Sequence, residues 1–548
     1  IEMSNKIYTT IPAPKVPRNT FNRSHNHTLS CMFHNCIPTL GEEILPGDRY
    51  LVNSELFARL QPMVAPVFNQ MKISQHAFFV PLRTLNKHFA EFMFNNEAGN
   101  YTDVLPYLSY GDLYDFMVNT GFTYPENRML VAKLCDYMGL DCKCRSATNV
   151  ATFLSNWTTD NAWMQNSPIR INIAPFLAYT KVWNEYFRDE NVGVDPFKDF
   201  QSNTGVDICT VTGSLSSRTN SFKFNIFSQF FRLRRRAWAH DRFTSALPWA
   251  QRGPDVLLPV NVSGQVDFEG PDNGGILSAN WSTSGQEFVA GNDNDPISGT
   301  FAGTNLSTTI NEFRRAERLQ RWYENSARGG VRPNEATLAH WGIRTPDATL
   351  DRAEFLGGSM QPIVVSDIAQ TSETTNTSPQ GTLAGKGTSY KPGRLCKAFF
   401  TEHGFLFVFT SVLCRANYAQ GTAKMFSRMQ REEYAWPEFA NLGEEPVFTK
   451  EIDTEHSSED DVFGYVPRYS DYKSATNRIS GDFRTSLAFW TQIRSFANQP
   501  QLNSDFLYSM PSLAPFAVSN PYTDLVLITA NYDIKASRLL PFYGVPTI

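Results

Sequence analysis

The stretch GFLFVFTSVLC at 404–414 is an unbroken run of aromatic and β-branched residues. It is too short to cross a bilayer and lacks the period of an amphipathic helix, so it reads as a strand buried on both faces. Two further stretches share its character: MKISQHAFFVPL, which begins at Met71 and is closed by Pro81, and DLVLITANYDI at 524–534. A proline ends a strand because it has no N–H to give to the ladder. Long, turn-rich connections separate the three, which favours an antiparallel sandwich over alternating βαβ units.

Composition narrows the function classes. The 548 residues carry 49 Lys+Arg against 54 Asp+Glu, a formal charge of -5, which argues against a uniformly basic nucleic-acid binder. With 41% hydrophobic and 19% charged residues, wholesale disorder is excluded, and no apolar run approaches the roughly 18 residues of a membrane span. Phe alone numbers 42 against 10 Trp and 21 Tyr, which suits aromatic-packed strands. The cysteines at 31, 36, 135, 142, 144, 209, 396 and 414 form no even framework. Reduced thiols and synthesis in a cytoplasm are expected, since the first residues show no secretory pattern.

Residues 1–41 read as an extended, mildly basic arm, with Lys6, Lys15, Arg18 and Arg23 against the single acid Glu2 and prolines at 12, 14 and 17. A solvated terminus and an arm lying on phosphate or on neighbouring subunits both fit. One helix is well signalled: Thr309 and Glu312 have capping-box spacing, and the segment closes at Gly329–Gly330. On it Phe313, Ala316, Leu319 and Tyr323 share one side, and Arg314, Arg318 and Arg321 form a basic stripe on the other. That stripe fits a solvated face as well as a phosphate or subunit contact. Residues 253–313 contain no Lys or Arg and read as a long exposed insertion; 366–389 reads as a second polar surface loop.

Chemical motifs are mostly excluded. His25, His27, Cys31, His34 and Cys36 have zinc-ligand chemistry but no finger spacing, and Cys135, Cys142 and Cys144 carry the same weak signal. GTLAGKGT at 381–388 is one residue short of a phosphate loop and has Gly387 where Ser or Thr would hold the metal. There is no nucleophile elbow, no His-Glu-x-x-His and no dinucleotide fingerprint, so neither an enzyme nor a cofactor or metal is expected. The run RLRRRAWAHDRF at 232–243 places Arg232, Arg234, Arg235 and Arg236 beside aromatics, a combination suited to phosphate and bases and equally to a subunit interface.

Several segments together resemble the major capsid protein of the microviruses, in the gokushovirus branch of small tailless phages with single-stranded DNA. They include FNRSHNH at 21–27, EILPGDRY at 43–50, FTSALPWAQRGP at 243–254, ARGGVRP at 327–333, FLGGSMQPI from 355, EHGFLFVF at 402–409 and EYAWPEFANLGEEPV at 433–447. The resemblance implies an all-β, eight-stranded antiparallel jelly roll with long loop insertions and a few helices. It places an arm at 1–41 ahead of a capsid domain at 42–548, in a T=1 icosahedral homo-oligomer in the virion, made and assembled in the bacterial host cytoplasm. One insertion would form a threefold protrusion for host attachment, within 253–313 or alternatively 195–225. The implied partners are further copies of the chain, the circular single-stranded DNA genome, a small basic DNA-binding protein, a pilot protein, an internal scaffolding protein and a host surface receptor, with no membrane insertion. Lys6, Lys15, Arg18, Arg23, Arg232, Arg234, Arg235 and Arg236 are then candidates for facing DNA, and the C-terminal PFYGVPTI for an interface strap. A secreted carbohydrate-binding β-protein or glycosidase is the alternative, suggested by the aromatic content and the Asn-x-Ser triplets at Asn261, Asn280 and Asn305.

Overall fold

The computed structural model describes residues 17–95, 102–119, 125–256, 265–269, 279–282, 287–290, 298–302, 309–369, 383–518 and 520–543. The chain forms two compact units, residues 251–330 and the remainder.

The larger unit is built on one curled antiparallel sheet of the jelly-roll kind. Its strands are β1 (Asn19–Asn22), β2 (His25–Cys31), β3 (Ile37–Ile44), β4 (Arg49–Leu60), β5 (Met71–Pro81), β6 (Glu354–Ala369), β7 (Leu383–Phe399), β8 (Gly404–Cys414) and β9 (Val526–Arg538). They run in the order β1-β9-β4-β7-β6-β5-β8-β3, with β2 sharing the β1 edge of β9, so the sheet is eight positions wide. The three stretches read as strands become β8, β5 and β9, and Pro81 closes β5 as its ring requires. The expected loop at 366–389 is different: Ser366 pairs with Lys386 in the β6–β7 ladder, and residues 370–382 lie outside the described set. The phosphate-loop lookalike therefore falls largely within a strand, where its N–H groups serve a ladder.

Period-two patterning sets the curl. On β4 Tyr50, Val52, Leu56, Ala58 and Leu60 point inward while Arg49, Glu55, Phe57 and Arg59 are exposed. On β9 Val526, Ile528, Ala530, Tyr532, Ile534 and Ala536 are buried. β8 has no polar side, for a physical reason. Leu406 and Val408 enter an inner core with Val52, Ala530 and Ile534, from strands near opposite ends of the sheet order. Phe407 and Phe409 join a larger core on the other face. Each large side chain buried in this way contributes about 1.5–3 kcal/mol.

Helices cover that second face: α1 (Tyr110–Val118), α2 (Pro125–Tyr137), α3 (Val150–Asp160), α4 (Ala174–Val182), α5 (Pro196–Thr204) and α6 (Asn220–Phe230), all in the connection from β5 to β6. On α4, Tyr179 stacks on Phe409 with ring centroids 5.3 Å apart. Its hydroxyl donates to the Cys36 carbonyl at 2.8 Å and accepts from the Arg234 N–H at 2.9 Å, so its buried polar tip is satisfied. Phe116 on α1 meets Phe227 on α6 at 5.1 Å.

In the smaller unit Gln265–Glu269 pairs with Ser298–Ala302, enclosing a second ladder of Ala279–Ser282 with Glu287–Ala290. It also holds α7 (Ile310–Gly329), whose capping box forms as the spacing requires: Glu312 N–H donates to Thr309 Oγ1 at 3.2 Å and Thr309 N–H to Glu312 Oε2 at 2.9 Å. Asn261 and Asn305 lie outside the described residues, whereas Asn280 is in a strand.

Candidate assembly and nucleic-acid surfaces

The segment KMFSRMQREEYAWPEFANLG at 424–443 follows an irregular path through three single 3-10 turns, Lys424–Phe426, Arg431–Glu433 and Pro437–Phe439. Its large apolar side chains face outward: Met429 is 82% exposed and Phe426 62%, with Met425, Trp436 and Leu442 also exposed. The backbone beneath is held firmly. The Arg428 guanidinium packs over Tyr472 at 4.5 Å, pairs with Asp471 and donates through Nε to the Glu433 carbonyl at 2.9 Å. Trp436 donates its indole N–H to the Arg431 carbonyl at 2.8 Å and its backbone N–H to the Tyr469 hydroxyl at 3.2 Å. Below lies a buried ion network in which Arg242 meets Glu451 at 2.9 Å and Lys424 meets Glu445 at 2.9 Å. Burial raises the Glu451 pKa, and the Arg242 and Lys424 charges oppose that rise. A hydrogen-bonded ribbon that displays clustered apolar groups around a few charges has the anatomy of a protein–protein contact.

The basic residues singled out from sequence are dispersed. Lys6 and Lys15 lie outside the described residues. Arg18 is exposed and donates to the carbonyls of Gly47 at 2.6 Å and Ser537 at 3.1 Å. Arg23 pairs with the buried Glu42 at 2.6 Å, so its charge is partly neutralised in place. Of the span 1–41, residues 19–22, 25–31 and 37–41 belong to the sheet. The arginine run is built inward. Arg234 lies over the Trp183 ring at 4.8 Å, and burial, then the Arg232 charge, lower its pKa to about 9. Arg235 takes part in a backbone bridge to Asn35, and its carbonyl accepts from the Trp183 indole at 2.8 Å. Arg236 stacks over Phe187 at 5.0 Å and donates to Ser74 Oγ at 2.9 Å. Arg232 is partly buried. Arg314, Arg318 and Arg321 are exposed along α7.

The histidines and cysteines near the N-terminus do not converge. His25 bonds to the Arg23 carbonyl at 2.9 Å and His27 to the Thr39 carbonyl at 3.0 Å. His34 is buried edge-on against Trp238 at 4.3 Å, and its Nε2 accepts from the Cys414 N–H at 3.3 Å. Burial, reinforced by the Arg494 charge, pushes His34 down to about 3, so the ring is neutral. Among the described residues no group of three or more His, Cys, Asp or Glu is placed to hold a metal ion, and all eight cysteines are free thiols. Cys142 accepts from the Trp157 indole at 3.3 Å. At the C-terminal end, Phe542 stacks on Phe21 at 5.9 Å and Tyr543 is exposed, while residues 544–548 lie outside the described set.

The exposed apolar ribbon is the surface feature that sequence reading missed. Its signal was present, since MFSRMQREEYAWPEF packs six large apolar residues into a stretch with neither helical nor strand period.

The fold is a jelly-roll sheet with a layered helical insertion, and comparison of the sequence supplies its role: the chain belongs to the Capsid protein (F protein) family, whose sequence profile matches residues 9–548. It is 30% identical to Capsid protein VP1 of Bdellovibrio phage phiMH2K, over 98% of this chain and 97% of that protein. It is 28% identical to Capsid protein VP1 of Chlamydia phage 1, over 99% and 98%, and 25% identical to that of Spiroplasma virus 4, over 97% and 95%. The microvirus resemblance therefore holds along the whole chain, and the protein is a structural component of a phage capsid. No described helix is long and apolar enough to cross a membrane.

Proposed function

We propose that the chain is the major shell subunit of a T=1 icosahedral particle that encloses a circular single-stranded DNA genome, and that it is assembled in the host cytoplasm. The observation that carries this reading is the ribbon at 424–443, which offers a neighbouring copy an apolar surface on a backbone already fixed by Arg428 and Trp436. In a closed shell, contacts about the fivefold and threefold axes join unlike patches and those about the twofold join like ones, so a ribbon distinct from the sheet edges is the kind of element required. A small basic DNA-binding protein, a pilot protein and an internal scaffolding protein complete the particle, and no enzymatic step is needed.

A threefold protrusion that meets the host receptor is assigned to 253–313 rather than 195–225. Residues 195–225 include α5 and the start of α6, with Phe200 and Phe222 buried against each other at 5.4 Å, so that stretch is committed to the core. Residues 251–330 form a unit of their own, and 253–313 carries no Lys or Arg, which suits an outer surface.

Negative-stain microscopy of the purified chain, and of cells making it with its scaffolding partner, tests the reading. Uniform particles of about 250–300 Å are expected for a subunit of this mass, and Phe426→Asp with Met429→Asp abolishes them while leaving a folded monomer. Monomers from the unaltered chain under every salt condition, or particles from the double variant, overturn it.

A further inference from the structure

The outward face of β9, β4 and β7 is an ordered charge lattice that no motif in the sequence announces. Five exposed cations stand on it, Arg49, Arg59, Arg394, Lys397 and Lys535, against two carboxylates, Glu55 and Asp533. Strand register brings them together: Lys535 pairs with Leu51, which pairs with Lys397, and the next row toward the middle of the strands joins Asp533, Asn53 and Arg394. None of the five cations makes an ion pair among the described residues. Asp533 is already occupied, accepting from Asn53 Nδ2 at 3.1 Å and Ser24 Oγ at 3.1 Å. The chain as a whole carries -5, so this local excess of positive charge runs against the average.

Aromatic rings flank the central charges at both ends. Phe57 and Tyr390 are direct cross-strand partners, 46% and 63% exposed. Phe399, 56% exposed, lies under the Arg49 guanidinium at 5.5 Å. Neighbouring strands are spaced about 4.8 Å and same-face residues about 6.7 Å, so the lattice offers cations and ring faces at the scale of a nucleotide repeat. Unpaired cations gain free energy from a polyanion by releasing its counterions, and exposed rings stack on bases that are not already paired. A neighbouring protein copy would need facing carboxylates, whereas the apolar ribbon already supplies contact area elsewhere.

We infer that this sheet face is where the subunit holds the single-stranded genome, through phosphate contacts at Arg394, Lys397 and Lys535 and base stacking at Tyr390. The inference rests on the shell reading above. It makes the sheet face the inner wall of the particle, a role separate from that of the ribbon.

The test uses the full chain, unassembled and in particles. Binding of a fluorescent 30-nucleotide thymidine oligomer is followed by anisotropy over a salt series. Removing three phosphate contacts in Arg394→Ser/Lys397→Ser/Lys535→Ser lowers the slope of log affinity against log salt by roughly 2, at about 0.7 per contact on a single strand. Tyr390→Ala weakens binding about tenfold with the slope unchanged. A duplex of equal length binds more weakly than the oligomer. In cells the triple variant forms particles at the normal yield with less DNA per protein. An unchanged slope, or equal binding of duplex, oligomer and anionic vesicles with no effect of Tyr390→Ala, overturns the inference while leaving the shell reading intact. A triple variant that folds but forms no particles makes the face a subunit contact and also overturns it. Failure of the unaltered chain to form particles strikes the shell reading itself.

Discussion

Tyr532 on β9 and Thr39 on β3 meet inside the curl, hydroxyl to hydroxyl at 2.7 Å, although their strands stand near opposite ends of the sheet order. Thr39 also reaches Thr410 at 2.8 Å, and Gln75, held by Ser54 at 2.9 Å, donates to the Tyr532 hydroxyl at 3.4 Å. A buried chain of hydroxyls and an amide thus ties β3, β4, β5, β8 and β9 together across the interior. Tyr532→Phe keeps the ring and leaves its partners short of a bond, so urea unfolding of the unassembled chain should show a loss of about 1–2 kcal/mol. An unchanged midpoint would show that the network does not help to close the curl.

Acid should loosen the larger unit through two histidines. Burial holds His34 at about 3 and His76 at about 4, both below the ordinary imidazole value of 6.5. The unfolded chain therefore binds protons that the folded chain refuses, and stability falls as pH drops below about 6.5 towards those values. Between pH 7 and 4.5 the loss from His34 alone is on the order of 2 kcal/mol. His34 sits at φ 63°, which asparagine tolerates, so His34→Asn is the suitable probe. Its melting temperature should change less between the two pH values than that of the unaltered chain.

The ion network below the ribbon should respond very differently from the ribbon's own surface pair. Arg242 and Glu451 have side chains only 5% and 3% exposed, so Arg242→Met strands a carboxylate in the interior and should cost about 3–5 kcal/mol. Arg431, 86% exposed beside Glu432, can be replaced by Met with no measurable change in the unfolding midpoint. Equal effects at the two sites would mean that the buried network is solvated.

Gly404 opens β8 where β3, β5 and β8 converge, paired with both Pro81 and Ile44. A Cβ there would lie 2.5 Å from the Val80 carbonyl oxygen, a backbone atom that cannot swing aside. Gly404→Ala should lower stability by about 1–3 kcal/mol, read by thermal melting, and should reduce particle yield with it.

What could be read from sequence followed from how local each signal was. The runs that became β5, β8 and β9 announce themselves because their burial is written in consecutive residues, and α7 because Thr309 and Glu312 bracket its first turn. The helical layer was hidden. In α6, Phe222, Phe224 and Ile226 repeat at a strand's period while Phe227 and Phe230 fit a helix, and only packing against α1 and α5 decides between them. The arginines at 234 and 236 were visible as a charge run, but their stacking on Trp183 and Phe187 depends on helices far from them in sequence. The cations of the sheet face belong to three strands spread between residues 49 and 535, so no window of sequence could show them together.

The pairing of β9 with β4, β1 and β2 also orders events in time. Strand β4 leaves the ribosome roughly 470 residues before its partner, an interval of about 25–95 s at bacterial elongation rates. Throughout it the edge of β4 that β9 will occupy has no partner from its own chain. A nascent subunit therefore cannot complete this sheet until β9 has been made, and a chain cut short before Val526 lacks the strand that β1, β2 and β4 all pair with.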